Sequence, residues 1–231
     1  MANLELNHLE EQTAEQVVDT VLSAETPAAA CLTCSFQAED LIVLDLLRQR
    51  IPGIPVLFLE TGYHFRETYE FRDQIAREWN LNLVNVTPKK SVASQESEFG
   101  ILYQSEPAKC CQLRKVQPLL EALEPFRVWF TGLRREQSPT RANLQKAESH
   151  RLPSGKSILK VNPLADWTWG KVWEYTGAQG LSYLPQYDRG YSSIGCEPCT
   201  AVPNDPNNLR SGRWGGRKLE CGIHTFSERG Q

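Results

Sequence analysis

Ala28-Ala29-Ala30-Cys31-Leu32-Thr33-Cys34-Ser35-Phe36-Gln37-Ala38-Glu39-Asp40 is the stretch on which the fold turns. Ala28 to Phe36 is a short apolar run that reads as a strand, and Asp40 to Arg50 then carries Leu41, Val43, Leu44 and Leu47 at helical spacing. The pattern repeats outward from it. Pro55 to Leu59 is a second apolar run, Leu81 to Val86 alternates, and Arg127 to Thr131 is aromatic-rich, so all three read as strands. Helical spacing lies between them. Phe65 to Trp79 carries Tyr69, Phe71, Ile75 and Trp79, and Cys110 to Leu123 carries Leu113, Val116, Leu119 and Leu123. At the start, Leu6 to Leu22 mixes Leu9, Val17, Val18, Val21 and Leu22 with acids and glutamine, which predicts a polar amphipathic helix over one flank. Strands alternating with helices give an α/β class: a mostly parallel sheet with helices on both faces. In such sheets the ligand lies beyond the carboxyl ends of the strands, so the loops after Phe36, Leu59 and Thr131 form the functional edge.

A chain of 231 residues buries one substantial core and is read as a single domain. Its parts are an N-terminal helix (1–25), an α/β core (26–180) and a loop-rich C-terminal tail (181–231), where Gly, Pro, Asn, Ser and Arg become dense. The net charge is −3, so no global basic field draws the protein to nucleic acid or to a membrane surface, and any anion site must be local. The first residues carry Glu5, Glu10, Glu11, Glu15 and Asp19 in place of a signal-peptide core, and the apolar runs fall short of the ~20 residues of a membrane helix. A soluble, cytoplasmic protein is expected. Seven cysteines in that setting favour reduced thiols and metal ligation over a disulfide framework.

Four cysteines form two close pairs, Cys110-Cys111 and Cys196-Glu-Pro-Cys199. Adjacent cysteines make a strained mutual disulfide, whereas two neighbouring thiolates can both face a metal group. An iron–sulfur cluster is favoured over zinc, whose ligands usually come from two CxxC-like knuckles. Lys115, one helical turn after Cys111, can offset the negative charge there. Cys221 stands apart in Glu-Cys-Gly-Ile-His, just beyond the basic run of Arg210, Arg213, Arg217 and Lys218, with His224 three residues on; positive charge favours the thiolate needed for attack. Buried structural cysteine is the competing reading. Cys31 and Cys34 also form a CxxC, but inside a strand, where core packing is the expected role.

Ser35 and the backbone amides of its loop can cradle a phosphate at a helix N-terminus, the alternative being a simple helix cap. Leu59-Glu60-Thr61-Gly62 and Thr131-Gly132-Leu133-Arg134-Arg135-Glu136-Gln137-Ser138 fall at the same edge. Arg134, Arg135 and Arg141 cluster with only Glu136 among them in sequence, and guanidinium forks suit phosphate or sulfate oxygens.

Taken in order, Ser-Phe-Gln-Ala-Glu-Asp, Leu-Glu-Thr-Gly, Cys-Cys-Gln-Leu-Arg-Lys-Val-Gln-Pro-Leu, Thr-Gly-Leu-Arg-Arg-Glu-Gln-Ser-Pro-Thr-Arg, Gly-Tyr-Ser-Ser-Ile-Gly-Cys-Glu-Pro-Cys-Thr, Arg-Ser-Gly-Arg-Trp and Glu-Cys-Gly-Ile-His make the chain resemble the assimilatory adenylylsulfate (APS) and phosphoadenylylsulfate (PAPS) reductases, in their iron–sulfur APS branch. The resemblance runs from about Ala28 to His224. It implies an adenine-nucleotide α-hydrolase-like fold in which 26–180 binds the nucleotide, with Cys221 as the nucleophile and a [4Fe-4S] cluster on Cys110, Cys111, Cys196 and Cys199. It also implies that Ser35, Phe36, Gln37, Leu59, Glu60, Thr61 and Gly62 hold the adenosine phosphate part. Lys115, Arg141, Arg210, Arg213 and His224 would complete the substrate site. The implied reaction is reduction of APS to sulfite and AMP through an S-sulfocysteine, with thioredoxin or glutaredoxin as electron donor; PAPS reduction, alone or beside APS, is the alternative. A homo-oligomer is compatible with the sequence. The chain departs from the family's pattern at Gln37, at Glu60, and in the single Trp that follows Arg213.

Overall fold

The computed structural model describes residues 6–205, 208–216, 218 and 220–224, so Arg217 of the basic run lies outside the described residues. Six strands, β1 (Ala30–Thr33), β2 (Pro55–Leu59), β3 (Asn82–Val86), β4 (Val128–Phe130), β5 (Ala147–Arg151) and β6 (Ser157–Val161), form one sheet in the order β3-β2-β1-β4-β6-β5. Every neighbouring pair is parallel except β5 with β6. The mostly parallel α/β class expected from the alternation is the observed one.

Side chains alternate across the sheet with the period of two that strands impose. Leu32, Val56, Phe58, Val128 and Phe130 enter the larger core, while Cys31, Leu57 and Trp129 enter a second core on the opposite face. Among the described residues eight α-helices accompany the sheet: α1 (Ala14–Ala24), α2 (Ala38–Arg48), α3 (Arg66–Glu78), α4 (Val92–Phe99), α5 (Leu102–Ser105), α6 (Pro107–Cys111), α7 (Gln117–Leu123) and α8 (Trp169–Ala178). Residues of α1, α2, α3 and α8 fill the larger core; Leu119 and Leu123 of α7 fill the second. Helix α2 is buried nearly all round, from Leu41 to Leu47, which is why its apolar run shows no polar stripe.

Three expectations are corrected here. The first helix does not run from Leu6 to Leu22: Leu6–Glu11 is a 3-10 turn, and α1 begins after Thr13, whose hydroxyl accepts from Gln16 N (3.3 Å) while Gln16 Oε1 accepts from Thr13 N (2.9 Å). That reciprocal cap sets a new start. The first strand is shorter than Ala28 to Phe36, because Phe36 adopts a left-handed φ of 61° and is tucked under the loop. The helix over Cys110 to Leu123 is present but carries a π turn at Gln112–Val116, with Gln117 N bonded to Gln112 O. Pro118, which has no N–H to give, stands where the bonding changes register. The hairpin β5–β6 and helices α4 and α8 were not anticipated from the sequence.

Candidate active site

The chain runs from β1 to β2 to β3 on one side, then crosses to β4 on the other side of β1. The loops after β1 and β4 therefore diverge at a switch point, where open α/β sheets bind ligands. A cleft of about 150 Å³ opens there. Its walls come from the β1 loop (Thr33 to Gln37), the end of β2, the β4 loop (Thr131 to Arg134), and the tail at Ser192 to Gly195, Leu209 to Trp214 and Cys221 to His224.

Asp40 ties the two loops together: its carboxylate accepts from Ser35 N (2.7 Å), Ser35 Oγ (2.6 Å) and Gly132 N (3.2 Å). Burial raises its pKa to about 6, against the lowering effect of those hydrogen bonds. Behind it Arg134, fully buried, bonds Glu39 Oε1 through Nε (3.0 Å) and Nη2 (2.9 Å) and reaches Glu136 (2.8 Å). These contacts correct two sequence readings. The Ser35 loop is not laid out as an open phosphate cradle, because Ser35 N is taken by Asp40, Phe36 N by Cys34 Sγ (3.4 Å) and Ala38 N by the Tyr187 hydroxyl (3.2 Å). Arg134 and Arg135 are structural cations, the latter paired with Glu10 (2.5 Å). Glu39 and Glu10 come from distant parts of the chain.

Of the residues expected to meet substrate, Ser35, Gln37, Leu59, Lys115, Arg141, Arg210, Arg213 and His224 line the cleft, as does Cys221. Phe36, Glu60, Thr61 and Gly62 do not. Phe36 is packed edge-on against Phe58 in the core. Glu60 is held by Gly62 N (2.7 Å) and the Tyr69 hydroxyl (2.6 Å). Thr61 is buried and accepts from Cys196 Sγ at 3.4 Å, and Gly62 is packed beneath Val92 and Arg114. The Gln37 amide is occupied as well: it donates to Ser35 Oγ (3.0 Å) and accepts from Ile194 N (2.7 Å), so it pins the β1 loop to the tail.

The tail returns over the cleft through named contacts. Thr200 pairs with Arg213, Ala201 N bonds Gly212 O (2.8 Å), and Ser192 Oγ donates to Leu209 O (2.5 Å). Gly212 lies against Ala201 O where no Cβ fits, and Gly195 lies flat under the Arg213 guanidinium, a Cβ there coming within 2.7 Å of Cζ. Cys221 is half-buried, and Gly222 after it takes φ 94° against Val116 of the π turn. Beyond, the His224 ring stacks on Trp129 at 5.6 Å. Burial first, then the nearby cations Lys160, Arg141 and Arg210, hold this imidazole well below its ordinary pKa, so it is neutral and adds no positive charge beside Cys221.

Cys110, Cys111, Cys196 and Cys199 line a second, smaller cavity with Tyr63, Tyr103, Pro107, Pro198 and Trp214. All four are free thiols. A backbone bridge between His64 and Cys196, with Glu197 N bonded to Tyr63 O (2.7 Å), ties the CxxC to the loop after β2. Among the described residues no group of three or more His, Cys, Asp or Glu is placed to hold a metal ion. Lys115 is buried between this cavity and the cleft. Burial alone would lower its pKa, but the sulfurs of Cys196, Cys111 and Cys221 push it up, and Lys115 in turn helps hold Cys196 below the ordinary thiol value against the opposing effect of burial. Burial, then the other three sulfurs, raise Cys110 to about 11. Cys31 is buried in β1 and Cys34 is buried just beyond it at the cleft wall, and burial pushes both thiols up.

Residues 29–202 match the family model described as the phosphoadenosine phosphosulfate reductase domain. The chain belongs to that family. A relative named adenosine 5′-phosphosulfate reductase, from Geobacillus sp. (strain WCH70), is 46% identical over 194 residues, covering 83% of this chain and 81% of its own. The fold is similar to that of phosphoadenylyl-sulfate reductase from Candida auris in its phosphate complex (TM-score 0.74, 24% identity, 87% of this chain and 98% of that one). It also resembles FMN adenylyltransferase of Candida glabrata with FMN and an ATP analogue (TM-score 0.61, 13% identity, 88% and 69%). The sheet is thus shared with a differently named enzyme, and the fold alone does not assign the chemistry of this phosphoadenosine phosphosulfate reductase family member. His64 also lines its cleft, unforeseen from sequence; burial lowers its pKa to about 4, leaving a neutral ring 2.8 Å from Leu59 O. Among the described residues, no helix is long and apolar enough to cross a membrane.

Proposed function

We propose that this chain is an oxidoreductase that reduces adenosine 5′-phosphosulfate to sulfite and AMP in sulfate assimilation, with Cys221 as the nucleophile. The observation that carries the reading is Cys221 at the cleft wall, in a setting that also holds Lys115, Arg141, Arg210 and Arg213. The name of the 46%-identical relative favours APS over PAPS as substrate.

The adenosine phosphate part lies between the β1 and β4 loops, with its sulfo end toward the tail. Cys221 thiolate attacks the sulfate sulfur, the bond from sulfur to the bridging oxygen breaks, and AMP leaves with the electron pair. Arg141, Arg210, Arg213 and Lys115 hold the anionic oxygens as charge shifts onto the leaving phosphate. A thiolate of thioredoxin or glutaredoxin then attacks Cys221 Sγ, sulfite departs, and the donor's second thiol resolves the mixed disulfide, which returns Cys221 as thiolate. The donor supplies both electrons.

We assign the sulfur cavity to a [4Fe-4S] cluster. Four thiols lining one cavity, two of them adjacent in sequence, support that cluster, since zinc ligands usually come from two CxxC-like knuckles. Cys110, Cys111, Cys196 and Cys199 would hold the cluster, which supplies a fixed negative charge next to Lys115. Lys115 in turn carries its own positive charge to the cleft.

Anaerobic protein incubated with APS and read by mass spectrometry tests this. A sulfonate adduct on the Cys221 peptide is expected, absent from Cys221→Ser, and sulfite release is expected only after a dithiol protein is added. Sulfite production by Cys221→Ser refutes the assignment, and preferential turnover of PAPS in direct competition refutes the substrate.

A further inference from the structure

Glu220, the residue before Cys221, is held as a bound anion would be. Arg141 grips its carboxylate with two prongs, Nε to Oε1 at 3.0 Å and Nη2 to Oε2 at 2.7 Å. Thr140 Oγ1 donates to Oε1 at 2.9 Å, and Arg210 Nη2 approaches Oε2 at 3.6 Å. The carboxylate side chain is only 10% exposed and the Arg141 side chain 9%. A guanidinium fork closed on two oxygens is the geometry with which arginine takes sulfate or phosphate. Arg141 and Arg210 both line the cleft. A second anion cannot share the same faces with Glu220, because two like charges at contact distance in a buried site repel strongly.

We propose that the Glu220 carboxylate is a resident stand-in for the sulfo group of the substrate, seated in the oxyanion subsite of Arg141 and Arg210 and exchanged for that group when substrate binds. The inference rests on the reading of Cys221 as the nucleophile toward APS. Exchange has a mechanical result. Cys221 lies between the tethered Glu220 and Gly222, whose left-handed backbone needs the freedom of glycine. While the carboxylate is gripped, the thiol is held with it. When a sulfo group takes the arginines, the residue before the nucleophile is released and the sulfur can move onto its target.

The test is equilibrium binding of APS and of AMP to two anaerobic, cluster-loaded proteins, Cys221→Ser and Cys221→Ser/Glu220→Gln, so that no covalent adduct forms. If Glu220 fills the subsite in about nine molecules of ten, the neutral amide tightens APS about tenfold. AMP, which lacks the sulfo group, should change less than about twofold by the same reasoning. Thr140→Val in the Cys221→Ser background removes one hydrogen bond from the latch without touching either arginine, and should tighten APS a few-fold. Weaker or unchanged APS binding in both latch variants overturns the proposal, since Glu220 would then be orienting the arginines. Equal tightening of APS and AMP overturns it too, because the effect would be a general field and not occupancy of the sulfo subsite. If Cys221→Ser itself fails to bind APS, the substrate reading falls and the stand-in falls with it.

Discussion

Gly132 is the position where the β4 loop passes closest to the start of α2, and an alanine there has nowhere to go. Its Cβ would lie 2.8 Å from Asp40 N and 2.9 Å from Glu39 C, both backbone atoms that no rotamer change can move. Restoring ordinary contact of about 3.4 Å requires the two loops to part by about half an ångström, an overpacking strain of about 1–3 kcal/mol. The same movement lengthens the bond from Gly132 N to Asp40 Oδ1, now 3.2 Å. Weakening a hydrogen bond to a buried carboxylate adds about 1–2 kcal/mol. Gly132→Ala should therefore destabilise by about 3 kcal/mol, or about 6–12 °C in Tm for a chain of this size. Gly177 supplies the control, since nothing lies within 4 Å of a Cβ added there, inside α8. Gly177→Ala should be neutral or stabilise by up to about 1 kcal/mol through helix propensity. Urea unfolding followed by far-UV circular dichroism, with heat denaturation in parallel, measures both. A Gly132→Ala protein within about 1 kcal/mol of wild type would show that the two loops yield freely and are no rigid floor to the cleft.

Asp40 predicts a pH signature. Its folded pKa of about 6 lies above the unfolded 3.8, so the folded chain keeps the proton longer. The stabilisation this gives is complete below about pH 4 and is lost as pH rises toward 6, a change of about 3 kcal/mol. The stability of wild type minus that of Asp40→Asn should fall across that window and level off above it; a difference that rises with pH refutes the assignment. Cys196→Ser should lose iron and visible absorbance while far-UV circular dichroism is retained, because Cys196 lines the sulfur cavity at the loop-rich edge and takes no part in the sheet. Full iron content in that variant would remove Cys196 from the ligand set.

Strands β1, β2 and β4 were legible because each is an apolar run buried on both faces, and Leu81 to Val86 because it alternates. Ala147–Arg151 hides its strand behind Glu148, Ser149, His150 and Arg151; its partner β6 and the Lys160 to Glu148 ion pair at 2.9 Å define it, and neither is a local signal. The cysteine pairs could be read since their spacing is short. The arginines were harder. Arg134 looked paired with Glu136 at most, because Glu39, its buried partner, is 95 positions away in sequence. Phe36 sits between Ser35 and Gln37, which face the cleft, and Thr61 follows Leu59, which also does; only the left-handed turn at Phe36 and the packing of Thr61 against Cys196 reveal that these two side chains point elsewhere.

The π turn at Gln112–Val116 splits one rod into two independently phased halves. An extra residue in a turn offsets the azimuth of everything beyond it by about 100°, so the stretch before the turn can aim Cys110 and Cys111 at the sulfur cavity while Leu119 and Leu123 aim at the sheet. An uninterrupted α-helix over 107–123 would set Leu119 and Leu123 about 100° away from their present bearing relative to Cys110 and Cys111. Excising a single residue from the widened turn should therefore act like slipping a gear by one tooth: either the ligand end or the packing end keeps its bearing, never both.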